Sequence, residues 1–381
     1  MIGSDHISDV CPKEGPTLRS TSRRLIVASA LVAVVAVFAA ACSSSKSTTT
    51  TTTAGASSNF DYSSLSGTLN GSGATFPKAF YEDSIASFAD VASGVTVNYG
   101  GGGSGQGKTD LAKKVVQWAG SDSTVKDADV ATFKGGAFLY FPTVAAPITV
   151  SYKLGGVDKL QLSADTVAKI FQAEITTWND AAIAADNPGV TLPPTAITVV
   201  RRSDGSGTTS NFTKYLKAAA ASTWKLDAAD TVIWPTSTQA GNGNAGVAQI
   251  ITATDGAIGY VDLSDATASK LAFASIKNKD GQFVAPTLAG ATAALSTATI
   301  NANLTYSALD AAGAEAYPIT AGTYILVYTN QSDAAIGNAL KGWINYVLTG
   351  GQALAADANF APLPSSLQQK AIAQLDQIKI G

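Results

Sequence analysis

Gly71-Ser72-Gly73-Ala74-Thr75-Phe76-Pro77 is a run of small residues that ends where Pro77 opens a helix. The N–H groups of Thr75 and Phe76 would face out of that helix start, with the Thr75 hydroxyl beside them. Free N–H groups and the helix dipole together attract anions. The same run also fits an ordinary capped helix. Gly100 to Gly103, then Ser104-Gly105-Gln106-Gly107-Lys108-Thr109, leads from a strand into a helix in the same way. Gly102, Gly107, Lys108 and Thr109 also match the nucleotide-binding pattern G-x-x-x-x-G-K-[ST], so a phosphoryl-transfer enzyme is one alternative reading. Gly120-Ser121-Asp122 supplies a carboxylate. An ionised Asp only accepts hydrogen bonds, so it suits a ligand that still carries a proton and repels fully ionised sulfate. It also fits a solvated loop. Arg201 to Thr209 brings a guanidinium at Arg202, a partner carboxylate at Asp204, hydroxyls at Ser206 and Thr208, and close backbone approach at Gly207. Arg can grip two oxyanion oxygens at once.

These segments sit between alternating helix and strand patterns, which argues for an α/β protein with mainly parallel sheets. Pro77 to Val91 reads as a helix with Tyr81, Ile85 and Phe88 on one face. Val95 to Tyr99 reads as a strand. Leu111, Val115 and Trp118 place one face of a second helix beginning after Gly107. Ser163 caps a third helix carrying Val167, Ile170 and Phe171. Ala196 to Val200 is a strand, followed by a helix with Phe212, Tyr215 and Leu216. Ile336, Leu340, Trp343 and Val347 mark another.

Composition removes whole classes of chemistry. The only His is His6 and the only Cys are Cys11 and Cys42. All lie before or at a candidate processing point, so the body holds no His or Cys for nucleophilic triads, His-ligated zinc or disulfides. A phosphatase using Ser206 or Thr208 as nucleophile would have little to activate it. The net charge of −3 and charged fraction of 14% argue against nucleic acid as a partner.

Arg23 and Arg24 precede an apolar run from Leu25 to Ala41, and Ala39-Ala40-Ala41 precede Cys42. This reads as a signal peptide over 1–42 with a lipobox-like Cys42 as the lipidation site. An uncleaved anchor and plain secretion are the alternatives. Residues 43–58, almost all Ser, Thr, Ala and Gly, read as a flexible tether.

From about Leu69 to Leu375 the chain resembles the phosphate-binding proteins of ABC phosphate importers, the PstS family. The likeness is carried by the four segments above and by Ile175 to Asp180, Gly256 to Val261, Tyr317 to Thr320 and Pro362 to Pro364. It implies a two-lobed type II periplasmic-binding-protein fold with the ligand in the cleft between lobes. One lobe would comprise 59–146 plus 262–381 and the other 147–261, with hinges near Pro142 to Pro147 and Val261 to Ser264. By motif position, Ala74, Thr75, Phe76, Ser104, Asp122, Arg202, Ser206, Gly207 and Thr208 would bind phosphate, with Asp204 orienting Arg202. The implied partners are inorganic phosphate, importer permease subunits and the membrane through a lipid anchor, for a monomer on the extracytoplasmic face. No catalysis, cofactor or metal is implied. Another oxyanion such as sulfate is the alternative ligand. Two departures from the family pattern stand out. Lys108 follows the second segment and reads as solvated, and Trp118 stands where Phe is common.

Overall fold

The structure, a computed structural model, describes residues 60–381. The expected signal peptide, the tether and Cys42 lie outside them. The first elements are β1 (Gly67–Gly73), α1 (Lys78–Val91), β2 (Val95–Gly101), α2 (Ser104–Ala112) and β3 (Trp118–Ser121). β1 lies between β2 and β3, parallel to both. After a short α3 (Asp127–Val130) comes β4 (Phe138–Tyr152), whose fifteen residues carry the chain from one half of the fold to the other.

The second half holds β5 (Gln161–Leu162), α4 (Ala164–Phe171), α5 (Ala181–Asp186), β6 (Thr198–Arg202), α6 (Gly207–Ala219), β7 (Gln239–Gly241), α7 (Gly243–Ala253), β8 (Ala257–Asp262) and α8 (Leu263–Ala268). β6 lies between β7 and β8, again parallel to both. Residues 138–147 of β4 pair with β13 (Ile319–Tyr328), and residues 148–152 pair with β8. All pairings made by β4 and β13 are antiparallel. The sheet is therefore mixed: each half has a parallel core, and the seam that joins them is antiparallel, where the reading had mainly parallel sheets throughout.

The expected lobe boundary at 262 needs correction over one stretch. β9 (Ala272–Phe273) pairs with 151–152, and β10 (Ser275–Lys277) pairs with β5 and with β11 (Phe283–Val284). β9 thus joins the second half-sheet, while β10 and β11 form a separate three-stranded sheet with β5 of that half, so residues 272–284 pack with the second half. The chain returns through β12 (Ala308–Leu309), which pairs with the start of β13. Helices α9 (Leu288–Ser296) and α10 (Ala334–Leu348) flank this return.

Local rules explain most helix starts. Ser163, Asp262 and Asp333 each accept a backbone N–H of the first turn of α4, α8 and α10. The second helix departs from expectation. It begins at Ser104, ends at Ala112, and Lys114 takes a left-handed φ of 61°. The chain then turns into β3, so Trp118 is a strand residue and Val115 is exposed, not the third and second members of a helical stripe. The apolar spacing was real, but the exit from the helix overrode it.

Trp118 is fully buried and anchors the first half. Its ring stacks on Tyr99 at 4.9 Å and meets Tyr81 edge-on at 5.5 Å. Gly71 makes room for it: a Cβ there would lie 2.1 Å from the indole. Gly71→Ala is therefore expected to lower unfolding free energy by roughly 1–3 kcal/mol through overpacking, measured by denaturant melts. An unchanged midpoint would show that the indole has space to retreat.

Candidate functional site

Five strand-to-helix or strand-to-loop turns converge at the carboxyl ends of parallel strands, three from the first half-sheet and two from the second. This is where open α/β sheets place ligands. From the first half come 73–76 after β1, 101–104 after β2 and 121–123 after β3. From the second come 202–207 after β6 and 241–244 after β7.

Arg202, the last residue of β6, has only 3% of its surface exposed. A guanidinium that far from water requires acceptors on every side. Its Nε donates to Asp204 Oδ1 at 2.8 Å, and its Nη2 makes a short bond to Asp204 Oδ2. Nη1 donates to Asn244 Oδ1 at 2.7 Å and reaches Thr208 Oγ1 at 3.5 Å. Burial alone would raise the Asp204 carboxyl, but the bonds and charge of Arg202 outweigh it and hold it below the ordinary Asp value. The expected Arg202–Asp204 pairing is present.

Asp122 has the opposite electrostatics. Its N–H donates to Ser104 Oγ at 3.1 Å, and that hydroxyl donates to Asp122 Oδ2 at 3.3 Å. Oδ1 is buried and has no partner. Burial pushes the carboxyl up to about 7, against the opposing pull of the Thr323 hydroxyl and the Arg202 charge. A carboxyl poised there loses its proton readily to a ligand environment that gives Oδ1 a donor.

Gly207 opens α6 directly against this carboxyl. A Cβ on it would fall 2.4 Å from Ser104 Oγ and 2.7 Å from Asp122 Oδ2. Ser206 caps α6 by accepting the Thr209 N–H at 3.1 Å. The N–H groups of Gly207 and Thr208 stand in the first turn, where the helix itself offers no acceptor. Thr75 Oγ1 accepts the Asn244 N–H at 3.2 Å, which leaves its hydroxyl proton free to donate. Phe76 is buried behind this turn, its ring edge-on to Phe360. The N–H of Ala74, one residue before Thr75, donates to the Gly120 carbonyl at 2.9 Å, which fixes the turn against β3.

Several bonds cross from one half to the other. Gly105 N–H donates to Gly205 O at 2.9 Å, and Asn211 Nδ2 donates to Asp122 O at 2.6 Å. Lys108 Nζ donates across to Asp230 Oδ2 at 2.6 Å and, within its own half, to Ser123 Oγ at 2.9 Å. Lys108 is thus engaged in an ion pair and mostly covered, not solvated as expected. The nucleotide-loop match dissolves for the same reason. Residues 104–112 are helix, so Gly107, Lys108 and Thr109 form no loop, and Lys108 is committed to Asp230.

A sequence model of the PBP superfamily domain matches residues 43–350. The phosphate-binding protein PstS of Pasteurella multocida is 34% identical over 323 residues, 83% of this chain and 92% of its own. The protein of the same name from Methanocaldococcus jannaschii is 37% identical over 304 residues, 74% of this chain and 78% of its own. The chain belongs to the PstS family. Among solved structures, the PfluDING periplasmic phosphate-binding protein superposes with a TM-score of 0.69 at 23% identity, over 81% of this chain and 94% of its own. The phosphate-binding protein of Stenotrophomonas maltophilia gives 0.67 at 21%, over 81% and 94%. These likenesses show the same type II periplasmic-binding-protein fold.

Against that PstS framework, three residues escaped the sequence reading: Asn244, Asn211 and Asp230. Asn244 had a signal. Gly241-Asn242-Gly243-Asn244 is one more Gly-rich turn between a strand and an apolar helix, of the kind that marked the other segments. Asn211 and Asp230 had none, because they act only once the two halves meet.

Asp122 generates a stability prediction. Its folded value of about 7 lies above the ordinary Asp value of 3.8, so the ligand-free fold binds more protons than the unfolded chain between those values. Its contribution therefore falls as pH rises through that window. Asp122→Asn is expected to stabilise the ligand-free protein increasingly from pH 4 to 8, by up to roughly 3–4 kcal/mol. Melts across pH check it, and parallel wild-type and variant curves would contradict it.

Proposed function

We propose that this protein binds inorganic phosphate between its two lobes on the extracytoplasmic side of the membrane and delivers it to an ABC phosphate importer. One observation carries the ligand assignment: a buried carboxylate oxygen, Asp122 Oδ1, makes no hydrogen bond among the described residues, although the Thr323 hydroxyl pulls on this carboxyl, in a site otherwise built from donors. A protonated phosphate brings the one donor that oxygen lacks. Arg202, the first-turn N–H groups of α6 and the hydroxyls of Thr75 and Thr208 serve the remaining phosphate oxygens, with Ser104, Ser206 and Gly207 closing the cage. The relatives' printed names, phosphate-binding protein PstS, support the ligand.

In this reading phosphate joins the lobes, and the cross-lobe bonds of Lys108, Gly105 and Asn211 hold the closed form. The lobes are 59–146 with the returning C-terminal part, and 147–261 with the strands at 272–284. The protein acts as a monomer tethered through lipidated Cys42, and it turns nothing over. The hydroxyls of Ser206 and Thr208 are taken up as hydrogen-bond acceptors. Ser206 accepts an N–H as a cap, and Thr208 accepts from an amide.

Calorimetric titration with phosphate, sulfate and MgATP tests the assignment. Tight one-to-one binding of phosphate at pH 8, with sulfate and MgATP silent, is expected. Sulfate has no proton to offer ionised Asp122, so its binding should strengthen as pH falls below about 7, where that carboxyl becomes a donor. Heat from MgATP with none from phosphate would overturn the proposal.

A further inference from the structure

Asn244, the second residue of α7, is completely buried and is the meeting point of three expected phosphate contacts. Its Oδ1 accepts from Arg202 Nη1 at 2.7 Å. Its Nδ2 donates to Asp262 Oδ2 at 2.7 Å and to Thr208 Oγ1 at 3.3 Å. Its backbone N–H donates across the cleft to Thr75 Oγ1 at 3.2 Å. The amide cannot be turned around, because a guanidinium offers no acceptor to an NH2 group. Asp262 is itself fixed as the cap of α8, accepting the Asp265 N–H at 3.0 Å.

The consequence for Thr208 is chemical. A hydroxyl has two lone pairs and one proton. Donors from Asn244 and, at the distance limit, Arg202 point at both lone pairs, so the Thr208 proton is left to point elsewhere. A hydroxyl that can only donate is what an anion requires. The consequence for Arg202 is geometric. Asp204 holds the Nε and Nη2 side and Asn244 holds Nη1, so the guanidinium plane is pinned from two directions. We propose that Asn244 is a positioning residue of the anion site, setting Arg202 and making Thr208 a pure donor. The proposal rests on the phosphate reading above. It assigns Asn244 no contact with phosphate.

The test uses the full chain, inorganic phosphate and two variants, Asn244→Ala and Asn244→Asp, titrated at pH 8 and pH 5.5 with ligand-free melts alongside. The alanine variant should bind phosphate roughly 10- to 100-fold more weakly at both pH values. The aspartate variant should be equally weak at pH 8, because its carboxylate cannot donate to Thr208 and faces Asp262. At pH 5.5 protonation returns one donor and one acceptor, so its deficit relative to wild type should shrink while that of alanine does not. Comparing each variant with wild type at the same pH cancels the titration of phosphate and of Asp122. The charged groups around the amide, namely Arg202, Asp204, Asp262, Asp265 and Lys78, are common to all three proteins.

Wild-type affinity in either variant overturns the proposal, as does an aspartate deficit that is the same at both pH values. If the alanine variant does not fold, the aspartate variant against wild type carries the same comparison. A wild-type chain silent toward phosphate would instead remove the reading on which the proposal rests.

Discussion

A charged guanidinium buried at the junction of two half-sheets constrains everything around it. Arg202 has given up its water, and an isolated ion in such a place is costly enough to unfold a domain. Asp204 cancels its charge and Asn244 takes a further N–H, so the cation is satisfied without a ligand. An arriving dianion therefore finds no large net positive charge. What it finds is a set of aimed dipoles: helix starts at α1, α2 and α6, hydroxyl protons, and the one guanidinium hydrogen left on Nη2. Attraction of this kind depends on geometry, which the overall negative charge of the chain does not disturb.

Asp122 is the counterpart of that arrangement. A carboxyl in the same dry seam is driven toward its neutral form by burial, and only a donor at Oδ1 restores the charged one. In the proposed site the pair of groups would read both features of phosphate, its negative oxygens and its proton. The glycines at 207 and 71 serve opposite halves of the same requirement. One lets α6 approach the carboxyl, and the other seats the indole that stiffens the first half-sheet.

Much of this was legible in the sequence because each binding turn is local. A strand, a Gly/Ser/Thr turn and a helix start occupy consecutive residues, so Thr75, Ser104, Arg202, Asp204 and Gly207 could be picked out singly, and the PstS likeness follows from the same motifs. What was not legible is what arises between segments. Lys108 looked solvated because its partner Asp230 lies 122 positions away. The bond from Ala74 N–H to the Gly120 carbonyl likewise joins two strands and cannot be read from either segment alone. Trp118 continued a helical spacing that the left-handed turn at Lys114 interrupts. The pairing of 272–284 with β4 and β5 was hidden for the same reason, since strands of two or three residues leave no trace in the sequence.

In the proposed phosphate site, Asp122 must give up its proton when phosphate binds. Calorimetry of phosphate binding in buffers of differing ionisation enthalpy counts protons released, for wild type and for Asp122→Asn. Near pH 5.5 the wild type should release about one proton more than the variant, and the difference should vanish above pH 8. Equal proton counts in the two proteins at pH 5.5 would contradict the account.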